Sequence, residues 1–282
     1  MLKIYLPSYK IFQCRKGSCA VNCCSHFPHV QLFSDEVSRL DSDPVWQDAD
    51  AEGHPLKEFV HEQEGHTMFC HGKDGGCLLL DGNGLCKLHL HHGLHAMTTV
   101  CRTYPRLIAT LPDRVEYALD PCCPEALRLA ENWKIGQFET EGERMSSREP
   151  DSRTLLRNKA IECLSRESVP LEQSLAEVAV LYDSPVHICV EALSDVQKTF
   201  VRKATIMLLW AYILPYDGYP GFNNIGDILL RFVAEYVPTL PLTPEDWTDM
   251  CNRFSKAYIE YIVRIGFDLD LESNYHDSME TL

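Results

Sequence analysis

The sequence has no long apolar run and comparatively little positive charge. No stretch reaches the roughly 18 apolar residues that a membrane-spanning helix needs. The first residues, Met1–Pro7, lack the apolar segment after a basic region that marks a secretory signal peptide. Lys and Arg number 26 against 41 Asp and Glu, which gives a net charge of −15. Nucleic acids and anionic membranes both attract clustered cations, so we expect neither as a partner.

The sequence also lacks a glycine-rich nucleotide-binding fingerprint. The nearest approximation, Gly82-Asn83-Gly84, has no third glycine and no strand-turn-helix context. With Asp81 in front of it, the same segment is typical of a tight reversal between apolar flanks. We expect this reversal to bring Cys77 and Cys86 together as two ligands on facing arms.

Cysteine is abundant and unevenly placed, with ten of the thirteen cysteines in residues 1–140. Because no signal peptide is evident, we expect a cytoplasmic protein whose thiols stay reduced and bind metal rather than form disulfides. Eight cysteines form a spaced set that we predict to be the metal ligands: Cys14, Cys19, Cys23, Cys24, Cys77, Cys86, Cys101 and Cys123. The other five are expected to be buried apolar thiols: Cys70, Cys122, Cys163, Cys189 and Cys251.

Four thiolates complete either a tetrahedral zinc site or a 4Fe–4S cluster, so eight allow two sites or one site with additional thiols. Zinc fingers favour cysteines separated by two to four residues, which Cys14-x4-Cys19 meets and Cys77-x8-Cys86 does not. Ligands from distant segments suit a cluster at least as well. The spacing therefore leaves zinc and an iron–sulfur cluster open.

The adjacent pair Cys23-Cys24 limits how the ligands can be shared. Neighbouring side chains diverge on a helix or a strand, so we expect only one of the two thiols at any one zinc ion. The spacing C-x3-C-x2-C, typical of radical enzymes, is nearly met by Cys19 and Cys23, but its third position is His26. Radical chemistry of the usual kind is therefore not predicted.

The cysteine set and its neighbouring residues resemble a known family. The residues that carry the resemblance are Cys14-x4-Cys19-x3-Cys23-Cys24, Cys77-x8-Cys86, Gly93, Cys101-Arg102-Thr103-Tyr104-Pro105-Arg106 and Cys123-Pro124-Glu125. Together they are similar to flagellin lysine-N-methylase, within the wider CxxCxxCC group of zinc- or iron-chelating proteins. The resemblance covers about residues 8–180, and no counterpart is clear beyond about residue 185.

The resemblance implies a cytoplasmic enzyme that transfers methyl groups from S-adenosylmethionine to surface lysine ε-amines of flagellin. It also implies a cysteine-bound 4Fe–4S cluster as cofactor and flagellin, or another lysine-rich protein, as the partner. The alternative is a non-catalytic zinc- or iron-chelating protein, and a third interpretation is an electron-transfer protein. The sequence leaves the oligomeric state open.

Three charged residues are candidates for the cofactor site. Arg102 and Arg106 bracket Tyr104-Pro105, and a guanidinium group binds a carboxylate through two parallel hydrogen bonds. We predict that they bind the carboxylate of S-adenosylmethionine, with pairing to acids or to cluster sulfurs as the alternative. Glu125 is a candidate acid or base, although a Glu there also stabilises the start of the following helix. Catalytic residues proper are not assigned.

Four histidines lie between Cys86 and Cys101. His91 and His95 share a helical face, but Gly93 interrupts the helix. With eight thiols available no histidine ligand is needed, so we predict surface and packing roles for His89, His91, His92 and His95.

Periodicity predicts a mainly α protein. An irregular, cysteine-rich and metal-stabilised module is expected over residues 1–138, a charged linker over 139–152 and a helical domain over 153–282. Apolar residues recur at helical spacing over about 196–214, 225–237 and 245–264. Thr243-Pro244 is predicted to open the last of these helices.

Overall fold

The structure is a computed structural model that describes residues 1–26, 30–63, 65–73, 75–143, 150–216, 224–240 and 246–265. Its helices are α1 (Cys23–His26), α2 (Ser34–Arg39), α3 (Lys87–His92), α4 (Thr99–Thr103), α5 (Pro124–Leu129), α6 (Ser152–Ser165), α7 (Leu171–Leu181), α8 (Asp195–Tyr216), α9 (Ile225–Tyr236) and α10 (Trp247–Arg264). Its strands are β1 (Leu2–Tyr5), β2 (Val60–Gln63), β3 (His66–Phe69), β4 (Arg106–Leu111), β5 (Arg114–Leu119) and β6 (Glu139–Glu141). Helices dominate, but the protein is mixed α/β, so the expectation of a mainly α fold is only partly correct.

The strands that the sequence did not predict form a four-stranded sheet in the order β4-β5-β1-β6. Strand β1 pairs in parallel with β5, from Leu2 opposite Arg114 to Tyr5 opposite Tyr117. Every residue of β5 is buried, including Arg114 and Glu116. Strands buried on both faces usually show a continuous apolar run, but Arg114 and Glu116 interrupt it here, which explains why the pattern did not reveal the strand.

Backbone contacts divide the chain into two compact units that are not consecutive in sequence. The first comprises Met1–Gln13 and Pro105–Tyr258, and the second comprises Cys14–Tyr104 together with the described residues from Ile259 onward. Part of the predicted linker forms β6, which pairs antiparallel with β1. Residues 144–149 of that linker lie outside the described part of the chain.

The first unit is built around α8. All residues from 200 to 213 are buried, so the predicted core helix in this region is confirmed. Two cationic side chains of α8 donate to carbonyl groups: Arg202 Nη1 to Leu164 O at 2.6 Å and Lys203 Nζ to Ala130 O at 3.0 Å.

Helices α9 and α10 confirm the other two apolar-periodic segments, whereas the predicted start at 243–244 lies outside the described residues. No helix in the described ranges has the length and apolar character to cross a membrane.

The second unit has its own apolar core, which includes Trp46, Leu56, Leu79 and Leu88. Strands β2 and β3 form an antiparallel hairpin, with Val60 opposite Phe69. Cysteine side chains pack against this core: Cys77, Cys86 and Cys101. The core therefore carries three of the predicted metal ligands on its surface.

Candidate metal centre

Four of the eight predicted ligands line one cavity in the second unit. Its volume is about 30 Å³, about twice the space that a cavity needs to hold one water molecule. The four thiols are those of Cys24, Cys77, Cys86 and Cys101. The remaining lining is almost entirely apolar and consists of Phe69, Leu79, Leu80, Leu88, Met97 and Thr98. Sequence analysis did not assign any of these six to the site, because nothing in their spacing distinguishes them from core residues.

The predicted chain reversal is confirmed, and it brings Cys77 and Cys86 to this cavity. Asp81 N donates to Leu85 O at 2.8 Å, and Leu80 and Cys86 form an antiparallel bridge. The Asp81 carboxylate closes the turn by accepting from the backbone N–H of Leu85 at 2.9 Å. These bonds hold the two arms of the turn side by side, as the Asp-Gly-Asn-Gly sequence predicts.

Cys24 is held against this turn by backbone and side-chain hydrogen bonds. Cys77 N donates to Cys24 O at 2.9 Å. Asn22 accepts from Cys24 N through Oδ1 and donates to Gly84 O through Nδ2, each at 3.0 Å. One asparagine thus links the short helix α1 to the far arm of the turn.

Cys101 reaches the cavity from α4, whose start is fixed by a buried carboxylate. Glu36, on α2, is 3% exposed. Its Oε1 accepts from Thr99 N at 2.6 Å, and its Oε2 accepts from Phe33 N at 3.0 Å. Glu36 therefore satisfies an N–H at the start of each of two helices and sets the position of α4. Sequence analysis could not predict the contact with Thr99, because the two residues are 63 positions apart.

Burial and proximity both favour the neutral thiols. Burial raises the pKa of Cys77 to about 11 and raises the pKa values of Cys86 and Cys101. A hydrogen bond with Cys23, and then burial, raise the pKa of Cys24. Four thiolates in this cavity would therefore need a cation to offset their charge, and metal binding would release protons.

Backbone N–H groups partly offset the effect of burial on the pKa of two of the thiols. The N–H group of Leu79 lowers the pKa of Cys77 against the larger effect of burial. The N–H groups of Leu88 and His89 act in the same direction on Cys86, which occupies the N-cap of α3 without a complete capping hydrogen bond. Backbone N–H groups directed at sulfur favour the thiolate and tune a bound metal.

The separation of the sulfur atoms distinguishes between metal groups. Four thiolates around one zinc ion, each about 2.3 Å from it, stand about 3.8 Å apart. Among the described residues, no three cysteine sulfurs all lie within 4.8 Å of one another. A 4Fe–4S cluster separates its thiolates further, because the irons and sulfides lie between them. No three of the described thiols are therefore as close together as the ligands of a single zinc ion.

The other four predicted ligands are placed differently. Cys23 is half-buried and lies beside Cys24. Cys14 is exposed and accepts from Lys16 N at 3.3 Å, and Cys19 is half-buried; neither is among the described residues that line the cavity. Cys123 belongs to the first unit, where it is buried at the N-cap of α5.

The five cysteines that were not predicted as metal ligands differ in how deeply they are buried. Cys122, Cys163 and Cys251 are buried, as expected, while Cys70 is half-buried. Cys189 is exposed, so the prediction for it is wrong. It lies in a segment without regular structure between α7 and α8, beside the also exposed His187.

The three charged residues that were predicted for the cofactor site lie in different environments. Arg102 follows Cys101 on α4, and its side chain is exposed. Arg106 donates to Phe12 O at 3.1 Å, and its guanidinium group lies over the Phe12 ring. Glu125 is 7% exposed and accepts from both Nε and Nη2 of Arg128 at 2.7 Å. This ion pair matches the helix-stabilising alternative for Glu125.

Comparisons with known proteins do not supply a family for this chain. No protein-family model matches it. No curated protein and no solved structure matches it either. The functional argument is therefore based on the four converging thiols and on the cysteine pattern of the sequence.

Proposed function

We propose that this chain is an S-adenosylmethionine-dependent protein-lysine N-methylase that carries a 4Fe–4S cluster, with flagellin as its substrate. The observation that carries the cluster is the convergence of Cys24, Cys77, Cys86 and Cys101 on one apolar cavity. The methyl transfer is inferred from the resemblance of the cysteine pattern to flagellin lysine-N-methylase.

Two features support a cluster over zinc. No three described cysteine sulfurs all lie within 4.8 Å of one another, and the ligands come from three separate segments rather than from paired knuckles. The walls formed by Leu79, Leu88 and Met97 would keep water from the sulfides, which affects the reduction potential of a cluster. When bound, a cluster held by four thiolates would carry a net negative charge and would tie together the segments that bring these cysteines to the cavity.

The charge of the chain suits a cationic substrate. A net charge of −15 favours encounter with a lysine-rich protein surface, particularly at low ionic strength. Methylation requires the neutral amine, and the pKa of lysine is about 10.4, so the site must remove a proton or exclude water. Arg102 has an exposed guanidinium group one residue beyond Cys101, which is suitable for binding the carboxylate of the methyl donor.

Metal analysis of cysteine variants tests the cluster. Protein purified without oxygen is assayed for iron, acid-labile sulfide and zinc, and about four irons and four sulfides per chain are expected. Replacing any one of the four cavity cysteines by Ala should reduce iron and sulfide together. Cys163→Ala and Cys251→Ala, which remove buried thiols of the first unit, are matched controls and should retain both. Zinc without sulfide would contradict the cluster.

Methyl transfer is then measured with cluster-containing protein. Labelled methyl groups from S-adenosylmethionine should appear on flagellin lysines, and acetylated flagellin should accept none. Arg102→Gln should raise the KM for S-adenosylmethionine with little change in stability, because its side chain is exposed. Absence of transfer by protein with a full iron and sulfide content would contradict the methylase.

The second candidate is a non-catalytic zinc- or iron-chelating protein. The same four thiols support it, because their convergence on a cavity does not require a substrate. A chelator should release its metal to a competing ligand within minutes and refold around it reversibly. A cluster that serves methyl transfer should instead remain bound during turnover.

A further inference from the structure

Three metal-binding side chains converge outside the cysteine cavity. His91 and His92 are adjacent on α3, but their side chains are longer than that of cysteine and their ring centres lie 4.3 Å apart. One ring nitrogen of each and one carboxylate oxygen of Asp48 therefore all lie within 4.8 Å of one another. His91 Nε2 is 3.2 Å from Asp48 Oδ2. The aspartate precedes the histidines by more than forty residues, so the cluster is a product of the tertiary structure.

The two segments that carry these residues are fixed by the core of the second unit. Trp46 is 2% exposed, and its Nε1 donates to Ala96 O, beyond the end of α3, at 2.8 Å. Ala49, next to Asp48, is fully buried, and Leu88 of α3 packs in the same apolar cluster. Asp48 is therefore held in front of α3 by buried neighbours on both sides of it in sequence.

The hydrogen bonds of the cluster are suited to metal binding. His92 Nε2 contacts Asp48 O. In the neutral tautomer that donates from Nε2 to this carbonyl group, the lone pair is on Nδ1. Histidine ligands of metals commonly donate their other N–H to a carbonyl group in this way.

The distances also fit a metal. Nitrogen and oxygen ligands about 2.1 Å from a tetrahedral ion stand about 3.4 Å apart. The separation of 3.2 Å between His91 Nε2 and Asp48 Oδ2 is close to that value. The side chains of His91 and Asp48 are 33% and 52% exposed, so an ion can reach them from solvent.

A second group of acidic and imidazole side chains is not a comparable candidate for a metal site. Asp50, Glu52 and His54 also lie close together. However, Asp50 Oδ1 already accepts from the backbone N–H of Glu52 and of His54, and both carboxylate oxygens contact the His54 ring. The two backbone bonds close a loop and occupy Oδ1, and Asp50 is only 1% exposed, so this carboxylate is poorly accessible to a cation from solvent.

We propose that Asp48, His91 and His92 form a second metal site, which binds a first-row divalent cation such as Zn²⁺. Imidazole and carboxylate ligands select such ions, and three protein ligands leave a coordination position for water. The site is distinct from the thiol cavity: Cys86 caps the start of α3, and the histidines form its last two residues, about 9 Å further along a six-residue helix. The proposal does not depend on the methylase activity.

Zinc uptake by the purified full chain tests the site. Zn²⁺ is titrated into anaerobically purified protein in competition with a chromogenic chelator, and iron and sulfide are measured on the same samples. The protein should bind one Zn²⁺ more than the His91→Ala/His92→Ala variant does. Asp48→Asn should bind that ion at least about tenfold more weakly, with iron and sulfide unchanged.

The neighbouring histidines provide matched controls. His89→Ala and His95→Ala remove imidazoles from the same region but not from the cluster, and they should retain the extra Zn²⁺. Equal uptake by the unmodified protein and by the His91/His92 variant would overturn the proposal, as would an equal loss in the control variants. Because iron and sulfide report the thiol cavity separately, failure of this site is distinguishable from failure of the proposed cluster.

Discussion

Replacing Glu116 by Gln is expected to destabilise the first unit by about 3–5 kcal/mol, because it removes one partner of a buried ion pair. Glu116 is 3% exposed on β5. Its Oε1 accepts from Arg114 Nε at 2.6 Å and from Arg157 Nη2 at 3.0 Å, and its Oε2 accepts from Arg157 Nη1. Arg114 also donates to Asp113 at 2.8 Å. Two carboxylates therefore balance two guanidinium groups inside the protein.

The expected size of the destabilisation follows from the charge and the hydrogen bonds that a glutamine cannot provide. Arginine does not lose its proton in proteins, so the variant leaves one uncompensated positive charge among buried groups. The amide oxygen can still accept, but the amide nitrogen is a donor and would face the donor Nη1 of Arg157. Losing one or two charge-assisted hydrogen bonds at about 1.5–3 kcal/mol each gives about 1.5–6 kcal/mol, which includes this range.

Urea unfolding followed by tryptophan fluorescence measures this effect, since Trp133, Trp210 and Trp247 all belong to the first unit. Glu139→Gln is the control: its side chain is 48% exposed beside Lys10, and the change should stay within about 0.5 kcal/mol.

A double variant separates charge imbalance from lost contacts. Glu116→Leu combined with Arg157→Met removes both charges of the pair and should be less destabilising than Glu116→Gln alone. Some loss remains, because the Arg157 guanidinium lies 4.1 Å from the centre of the Trp210 ring. A double variant less stable than the single one would refute the argument, as would a change below about 1 kcal/mol for Glu116→Gln.

Two further predictions concern the acid stability of the second unit and the packing of the first. Burial alone would raise the pKa of Asp50, but the backbone N–H and imidazole of His54 lower it to about 2 from 3.8. The resulting stability of about 2 kcal/mol is present above pH 4 and lost as the pH falls towards 2, and Asp50→Asn should abolish this slope in unfolding measured from pH 2 to 6. Gly226→Ala should cost about 1–3 kcal/mol, because the new Cβ would lie 2.1 Å from the Tyr182 ring. Gly82→Ala, with nothing within 4 Å, is the control in the same thermal and urea unfolding assays; an equal effect of the two changes would contradict the packing argument.

Part of the fold could be predicted because its signals are local. Helices α8, α9 and α10 have apolar residues at helical spacing, and the Asp81–Gly84 reversal is specified by its own turn residues. The sheet was not predictable in this way. Strand β1 pairs with β5 across more than a hundred residues, and the charges of β5 are tolerated only because Arg157, on another element, neutralises Glu116.

The candidate metal centre also has one part that the local sequence predicts and another part that it does not. The sequence by itself determined that the N-terminal half is rich in cysteine, that Cys77 and Cys86 meet across a turn, and that these thiols are suited to metal. Only the tertiary structure decided that Cys24 and Cys101 join them, because Asn22 and Glu36 fix α1 and α4 through contacts to residues far along the chain. It also brought Asp48 to His91, which no spacing could indicate. Local signals depend on neighbouring residues, whereas the meeting of distant side chains depends on how the whole core packs.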